Sequence, residues 1–211
     1  MPMRGLYLIT PDDDDRDRLL ERVAAVLPAR PALLQYRNKR ASGERRRDEA
    51  RAIKALCDAV GVPLVVNDDW RLALEIGAAG AHLGEDDGDL SEARRAAPGL
   101  LLGASCYDDL SRARAMAKAG ADYLAFGAFF PTRTKATTRR ATPALLREAA
   151  VLGRPRVAIG GIRTDNAPAL LAAGADLLAV VGAVFEAPDP LAEARRFTAL
   201  FDATPAHAAA D

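Results

Sequence analysis

The chain has 211 residues, 50% of them apolar, with 29 basic and 29 acidic side chains and no formal net charge. That length supports one core of ordinary size or two very small ones, and the charge balance gives no reason to expect nonspecific binding to nucleic acid or a membrane surface. Two cysteines and two histidines support neither a disulfide framework nor a cysteine- or histidine-rich metal site.

No apolar run approaches the roughly 20 residues of a membrane span. The acidic run Asp12–Asp15 follows the first short apolar stretch, unlike a signal peptide, so a soluble cytoplasmic protein is expected. The run itself is expected to solvate the first loop.

In chain order the pattern predicts a strand at Gly5–Thr10, a helix at Arg16–Val26, a strand at Ala32–Arg37 and a helix at Glu44–Val60. Next come strand Pro63–Asp68, helix Trp70–Ile76, strand Ala81–Glu85, helix Ser91–Ala97, strand Leu101–Cys106 and helix Asp109–Ala119. Strand Tyr123–Phe129, helix Pro143–Val151, strand Arg156–Gly161, helix Asn166–Ala173, strand Leu177–Val184 and helix Pro190–Phe201 complete the series. The strands are almost continuously apolar, as in a parallel sheet covered on both faces. Gly77-Ala78…Gly84, Gly120-Ala121…Gly127 and Gly174-Ala175…Gly182 repeat one helix–strand unit, the first Gly suiting a helix C-cap and the second a strand end. Eight such pairs predict a single-domain α/β fold, a (β/α)8 TIM barrel over residues 1–203, with 204–211 as a disordered tail. An open doubly wound sheet is the alternative, but no Gly-x-Gly-x-x-Gly follows the first strand.

In a barrel, chemistry belongs to the loops after the strand C-termini. Three sets gather there. Arg37, Lys39 and Lys135 are cations suited to a polyphosphate, Arg as a two-pronged clamp and Lys as a point charge; only four of the 29 basic residues are lysines. Asp68 and Asp87, with Asp69, Glu85 and Asp86 beside them, suit Mg²⁺ facing a diphosphate, and one of Asp68 and Asp69 is expected to cap the helix at Trp70. Gly160-Gly161 and Val181-Gly182 offer backbone N–H groups to a phosphate. His82 lies in an apolar strand and reads as a structural histidine, so histidine acid–base chemistry is not expected.

Taken together, the segments Leu6–Thr10, Gln35-Tyr-Arg-Asn-Lys39, Val66–Asp68, Gly80–Gly84 through Asp87, Gly103–Ser105, Gly120–Tyr123, Phe130-Pro-Thr-Arg-Thr-Lys135 and Ala158–Ile162 resemble the thiamine-phosphate synthase (thiamine monophosphate synthase) family. The resemblance implies a transferase that joins a pyrimidine diphosphate, 4-amino-2-methyl-5-(diphosphooxymethyl)pyrimidine, to a thiazole phosphate, with release of pyrophosphate by dissociative substitution. It implies that Gln35, Tyr36, Arg37, Asn38, Lys39, Asn67, Ser105 and Lys135 hold the pyrimidine diphosphate, with Lys135, Arg37, Lys39 and Ser105 catalytic. It also implies that Asp68 and Asp87 carry one Mg²⁺ per subunit, and that Thr132, Arg133, Thr134, Gly161, Val181 and Gly182 bind the thiazole phosphate. The expected partners are small phosphorylated molecules, not nucleic acid or membrane; oligomeric state is left open, a homo-oligomer included. Three positions depart from the family pattern: Asn38 where Glu is usual, Gly182 where Ser is common and Tyr107 where His is frequent. The last bears on the rival within the family, a metal-independent thiazole tautomerase; Asp68, Asp87 and Lys135 together favour the synthase. The segments Arg40–Arg47 and Lys135–Arg140 are expected to close over substrate as lids.

Overall fold

The computed structural model describes residues 3–132 and 138–204. Eight parallel strands close in sequence order, β8 pairing back onto β1. They are β1 (Gly5–Ile9), β2 (Leu33–Tyr36), β3 (Leu64–Asn67), β4 (Gly80–Leu83), β5 (Leu101–Tyr107), β6 (Tyr123–Phe126), β7 (Arg156–Ile159) and β8 (Leu177–Val180). The helices α1 (Arg16–Val26), α2 (Gly43–Val60), α3 (Trp70–Glu75), α4 (Leu90–Ala96), α5 (Leu110–Ala119), α6 (Pro143–Glu148), α7 (Ala167–Ala172), α8 (Gly182–Phe185) and α9 (Pro190–Asp202) wrap the outside. The expected (β/α)8 barrel is the fold.

Local chemistry sets the helix starts. Asp15, Ser42, Asp69, Asp89, Asp109 and Asp189 each accept a backbone N–H of the following helix, satisfying amides that the first turn leaves unpaired. Gly77, Gly120 and Gly174 all have positive φ after a helix, as the repeat predicts. Most expected strands run a residue or two past the observed end, and two overrun further. β6 stops at Phe126, and the expected strand through Val184 stops at Val180, where Gly182–Phe185 turn into α8. An unbroken apolar run does not mark where a strand turns into a helix.

Most apolar side chains lie between the sheet and the helices, in one continuous layer from Leu6 to Phe201. A second, smaller cluster fills the barrel itself: Tyr7, Ile9, Leu33, Val65, Tyr123, Ala125, Val157, Leu177 and Ala179. On β2, Leu33 points inward while Leu34 and Tyr36 point to the helices, the period-two alternation of a strand. That alternation decides which residues after β2 face the mouth.

Candidate active site

The mouth is built from the C-terminal ends of β2 to β5. An open pocket there is lined by Tyr36, Arg37, Asn38, Lys39, Arg46, Asn67 and Asp68. Arg37 is held from both sides. Its backbone N–H donates to Thr10 Oγ1 at 2.8 Å, the Thr10 hydroxyl donates to the Arg37 carbonyl at 2.7 Å, and its guanidinium donates to both Asp12 carboxylate oxygens at 3.0 Å. Asp12 Oδ1 also accepts the Lys39 backbone N–H at 2.7 Å. The Lys39 ammonium lies 3.4 Å from Asp68 Oδ2.

Asp68 adopts a left-handed backbone with φ of 65°, which Asp tolerates better than most residues and which is common at functional positions. Its N–H donates to the His82 carbonyl at 2.8 Å, carrying the side chain towards Asp87. The two carboxyls meet within hydrogen-bonding reach. Burial first, then the neighbouring Asp87 carboxylate, raises the Asp68 pKa above the usual carboxylate range, with Lys39 opposing. Asp87 is pinned by the Gly84 N–H, which donates to Oδ2 at 2.7 Å. Asp69 takes the capping role for α3 through the Leu72 N–H. Glu85 pairs with Arg139 at 3.0 Å, and Asp86 is exposed.

On the neighbouring strands, His82 Nε2 meets Ser105 Oγ at 2.9 Å and His82 Nδ1 meets the Tyr123 hydroxyl at 3.1 Å. Burial depresses the His82 pKa to about 4, so the imidazole is neutral at physiological pH. Both ring nitrogens are hydrogen-bonded, as expected of a histidine inside a strand.

Two expected ligands line the mouth without turning their polar ends into it. Tyr36 and Asn38 turn their polar ends to the helix layer, where the Tyr36 hydroxyl donates to Glu49 Oε2 at 2.7 Å and Asn38 Nδ2 to the same atom at 2.9 Å. Asn38 Nδ2 also donates to the Asp13 carbonyl at 2.8 Å, and Arg45 Nε to Glu49 Oε1 at 2.6 Å. The reason is register: in Gln35–Lys39, alternate side chains leave the barrel. The segment Arg40–Arg47, expected as a lid, leads into the first turn of α2 at Gly43. The acidic run expected only to solvate its loop is also more specific. Asp12 clamps Arg37, buried Asp13 pairs with Arg18 and Arg22, Asp14 pairs with Arg40, and Asp15 caps α1.

The loops expected to bind a phosphate lie across the barrel. Gly161 packs against Phe130 and Pro131, the Pro131 carbonyl oxygen being 2.3 Å from the position of a Cβ on Gly161, which brings Thr132 beside the turn after β7. Val181 and Gly182 follow β8, the neighbour of β7. The Glu186 carboxylate stands against Gly182, 3.1 Å from where a Cβ would be. Arg133, Thr134 and Lys135, with the rest of 133–137, lie outside the described residues, as does the tail from 205 onwards. Arg139, just beyond, stacks over the Tyr107 ring at 4.2 Å, and the Arg140 N–H donates to Asp108 at 3.2 Å.

Thus Arg37, Lys39, Asn67, Asp68 and Asp87 share one mouth, with Ser105 on the adjoining strand end. Thr10, Asp12, Asp13, Glu49, Tyr7 and Tyr123 also shape it and were given no site role from sequence; Glu49, a carboxylate within the buried stripe Glu49, Ala50, Ile53 and Cys57 of α2, is the one the helical pattern could have exposed. Among the described residues no group of three or more His, Cys, Asp or Glu forms a metal cage.

Comparison with known proteins identifies the family. The family model described as thiamine monophosphate synthase matches residues 6–184. The thiamine-phosphate synthase of Xanthomonas campestris pv. campestris (strain 8004) is 56% identical over 201 residues, covering 94% of this chain and 96% of that protein. The thiamine-phosphate synthase of Azoarcus sp. (strain BH72) is also 56% identical over 201 residues, covering 94% and 98%. The structure of thiamine phosphate pyrophosphorylase from Pyrococcus furiosus superposes with a TM-score of 0.85 at 32% identity, covering 95% of this chain and 96% of that one. A chain that carries these strand-end residues on this barrel, and matches over nearly its whole length, belongs to the thiamine monophosphate synthase family.

Proposed function

We propose that this protein is a thiamine-phosphate synthase, a transferase that joins the pyrimidine diphosphate to the thiazole phosphate with release of pyrophosphate. The observation that carries the reading is the convergence of Asp68, Asp87, Arg37, Lys39 and Asn67 on one mouth. The two facing carboxylates repel each other, and Lys39 beside Asp68 offsets that only in part. That donor set fits a magnesium ion with diphosphate oxygens as its further ligands.

Asp68 and Asp87 would hold Mg²⁺, which, when bound, offsets charge growing on the departing diphosphate. Arg37, preset by Asp12 and Thr10, would clamp the same oxygens without reorganisation. Lys39 would exchange its contact with Asp68 for the diphosphate once the carboxylate is otherwise occupied. Gln35 and Ser105 would orient the pyrimidine ring, and Lys135 would add a third cation over the leaving group. Heterolysis of the bond to the diphosphate leaves a pyrimidine-methyl cation whose charge spreads into the aminopyrimidine ring. The thiazole nitrogen, held by its phosphate at Thr132, Gly161 and Gly182, then donates its electron pair to that carbon. No histidine base is required, in keeping with a neutral, internally bonded His82. A cytoplasmic setting is compatible with the two buried free thiols of Cys57 and Cys106.

Purified protein supplied with both substrates and Mg²⁺ is expected to release pyrophosphate and thiamine phosphate together. Absence of product at saturating substrate overturns the reading.

A further inference from the structure

Beneath the mouth, five side chains from five different strands or strand ends form one unbroken hydrogen-bonded file. Gln35 Nε2 donates to the Tyr7 hydroxyl at 2.7 Å, the Tyr7 and Tyr123 hydroxyls lie 2.7 Å apart, Tyr123 meets His82 Nδ1 at 3.1 Å, and His82 Nε2 meets Ser105 Oγ at 2.9 Å. Tyr7, Tyr123 and Gln35 are buried, at 1%, 0% and 2% exposure. The interior of such a barrel is ordinarily filled by branched apolar residues. Here room is made for polar ones: a Cβ on Gly103 would lie 2.0 Å from Tyr123 Cζ. The Tyr123 ring packs edge-on to Tyr7, with centroids 5.8 Å apart, and stacks on His82 at 5.6 Å. Both ends of the file, Gln35 and Ser105, are assigned above to the pyrimidine. The three residues between them have no part in the reaction as described.

Counting hydrogens gives the file a direction. Each tyrosine hydroxyl carries one hydrogen and a neutral imidazole carries one N–H. Gln35 donates into the Tyr7 oxygen, so the Tyr7 hydrogen has the Tyr123 oxygen as its acceptor. The Tyr123 hydrogen then goes to His82 Nδ1, which places the histidine proton on Nε2, donating to Ser105 Oγ. The Ser105 hydroxyl is left to donate into the mouth, and Gln35 keeps its carbonyl oxygen as an acceptor beside one further amide hydrogen. A buried polar hydrogen without an acceptor is heavily penalised, so one bond does not reverse unless all do.

We propose that Tyr7, Tyr123 and His82 are positioning residues that couple Gln35 to Ser105, so that the two ends offer a heteroaromatic ring one fixed pattern, an acceptor at Gln35 and a donor at Ser105. The pattern selects a ring with an amino hydrogen and an unprotonated ring nitrogen over the oxo analogue, in which donor and acceptor are exchanged. That a pyrimidine is the ring rests on the synthase reading; the coupling between the ends does not.

The test is nitrogen-15 NMR of the imidazole in the full-length protein without substrates, the His82 signals being identified by their loss in His82→Gln. Wild type is expected to show a single Nε2–H tautomer. Gln35→Glu replaces the donor by a carboxylate that accepts from Tyr7, which reverses every bond and moves the His82 proton to Nδ1. In a Tyr7→Phe background, where the file is cut, the same substitution leaves the His82 tautomer unmoved. An Nδ1–H tautomer in wild type, or an unchanged tautomer in Gln35→Glu, overturns the proposal. Kinetics give a second arm that does not depend on the fold of the Glu variant. Tyr123→Phe, which deletes one oxygen, is expected to raise KM for the pyrimidine diphosphate about tenfold and to weaken discrimination against the oxo analogue, with KM for the thiazole phosphate unchanged. Equal rises in both KM values, or undiminished discrimination, contradict positioning. If wild type forms no thiamine phosphate the synthase reading fails, while the NMR arm still decides the coupling.

Discussion

Asp68 concentrates the tension of the site in a single residue. Its backbone is left-handed, its carboxyl faces Asp87, and its pKa is raised by burial and by that neighbour. A carboxylate whose folded-state pKa lies above its unfolded value is a net cost to stability at neutral pH, relieved as pH falls. Asp68→Asn keeps a side chain tolerant of the left-handed region and removes the repulsion. It is expected to raise the melting temperature of the metal-free protein while lowering turnover about a hundredfold or more; added Mg²⁺ should stabilise wild type and not the variant. Scanning calorimetry with and without Mg²⁺, beside an activity assay, checks both halves.

Asn38 shows the same logic turned to structure. Its amide donates to the fully buried Glu49 and to the Asp13 carbonyl, so a Glu at this position would set two carboxylates together here. Asn38→Glu is expected to lose about 3 kcal/mol of stability, read by urea unfolding, and Glu49→Gln in that background is expected to recover much of it.

At the scale of elements, the β1–α1 and β2–α2 connections act as one unit. Asp12 reaches from the first to hold Arg37 and the Lys39 N–H of the second, while Asp13 anchors to α1 through Arg18 and Arg22. A clamp fixed in advance binds a leaving group without reorganisation. Asp12→Ala leaves the core untouched and frees Arg37, so KM for the pyrimidine diphosphate is expected to rise about tenfold with the thiazole phosphate little affected, as steady-state kinetics would show. The glycine repeat, the strand order and most helix starts are legible in the sequence because capping residues and positive-φ glycines are local signals. The inward or outward facing of Tyr36 and Asn38 is not, since it depends on where β2 enters the barrel. The partners of the acidic run lie on other elements, which local spacing does not reveal.

For the whole molecule, the barrel delivers the strand-end residues to one face, and that much follows from an α/β repeat with polar strand ends. The file from Gln35 to Ser105 is not legible, because Tyr7, His82 and Tyr123 sit in strands that read as apolar core. It has a consequence for pH. His82 holds a folded-state pKa of about 4, below the usual 6.5; the unfolded chain therefore binds a proton first as pH falls. Stability is expected to be full above about pH 6.5 and to decline by about 3 kcal/mol as pH falls to 4. Asp13, held at about 2 chiefly by its Arg18 hydrogen bond, adds a second loss only below about pH 4. Urea midpoints between pH 7 and pH 4 measure the first decline, which His82→Gln should flatten.

Calorimetric titration of the protein with pyrophosphate, with and without Mg²⁺, tests most directly whether two acids and the cations beside them embrace one diphosphate. Tight binding with Mg²⁺, weak binding without it, and loss of that difference in Asp87→Asn are the predicted results. Equal affinity in the two conditions, or a Mg²⁺ dependence that survives Asp87→Asn, would contradict the assignment.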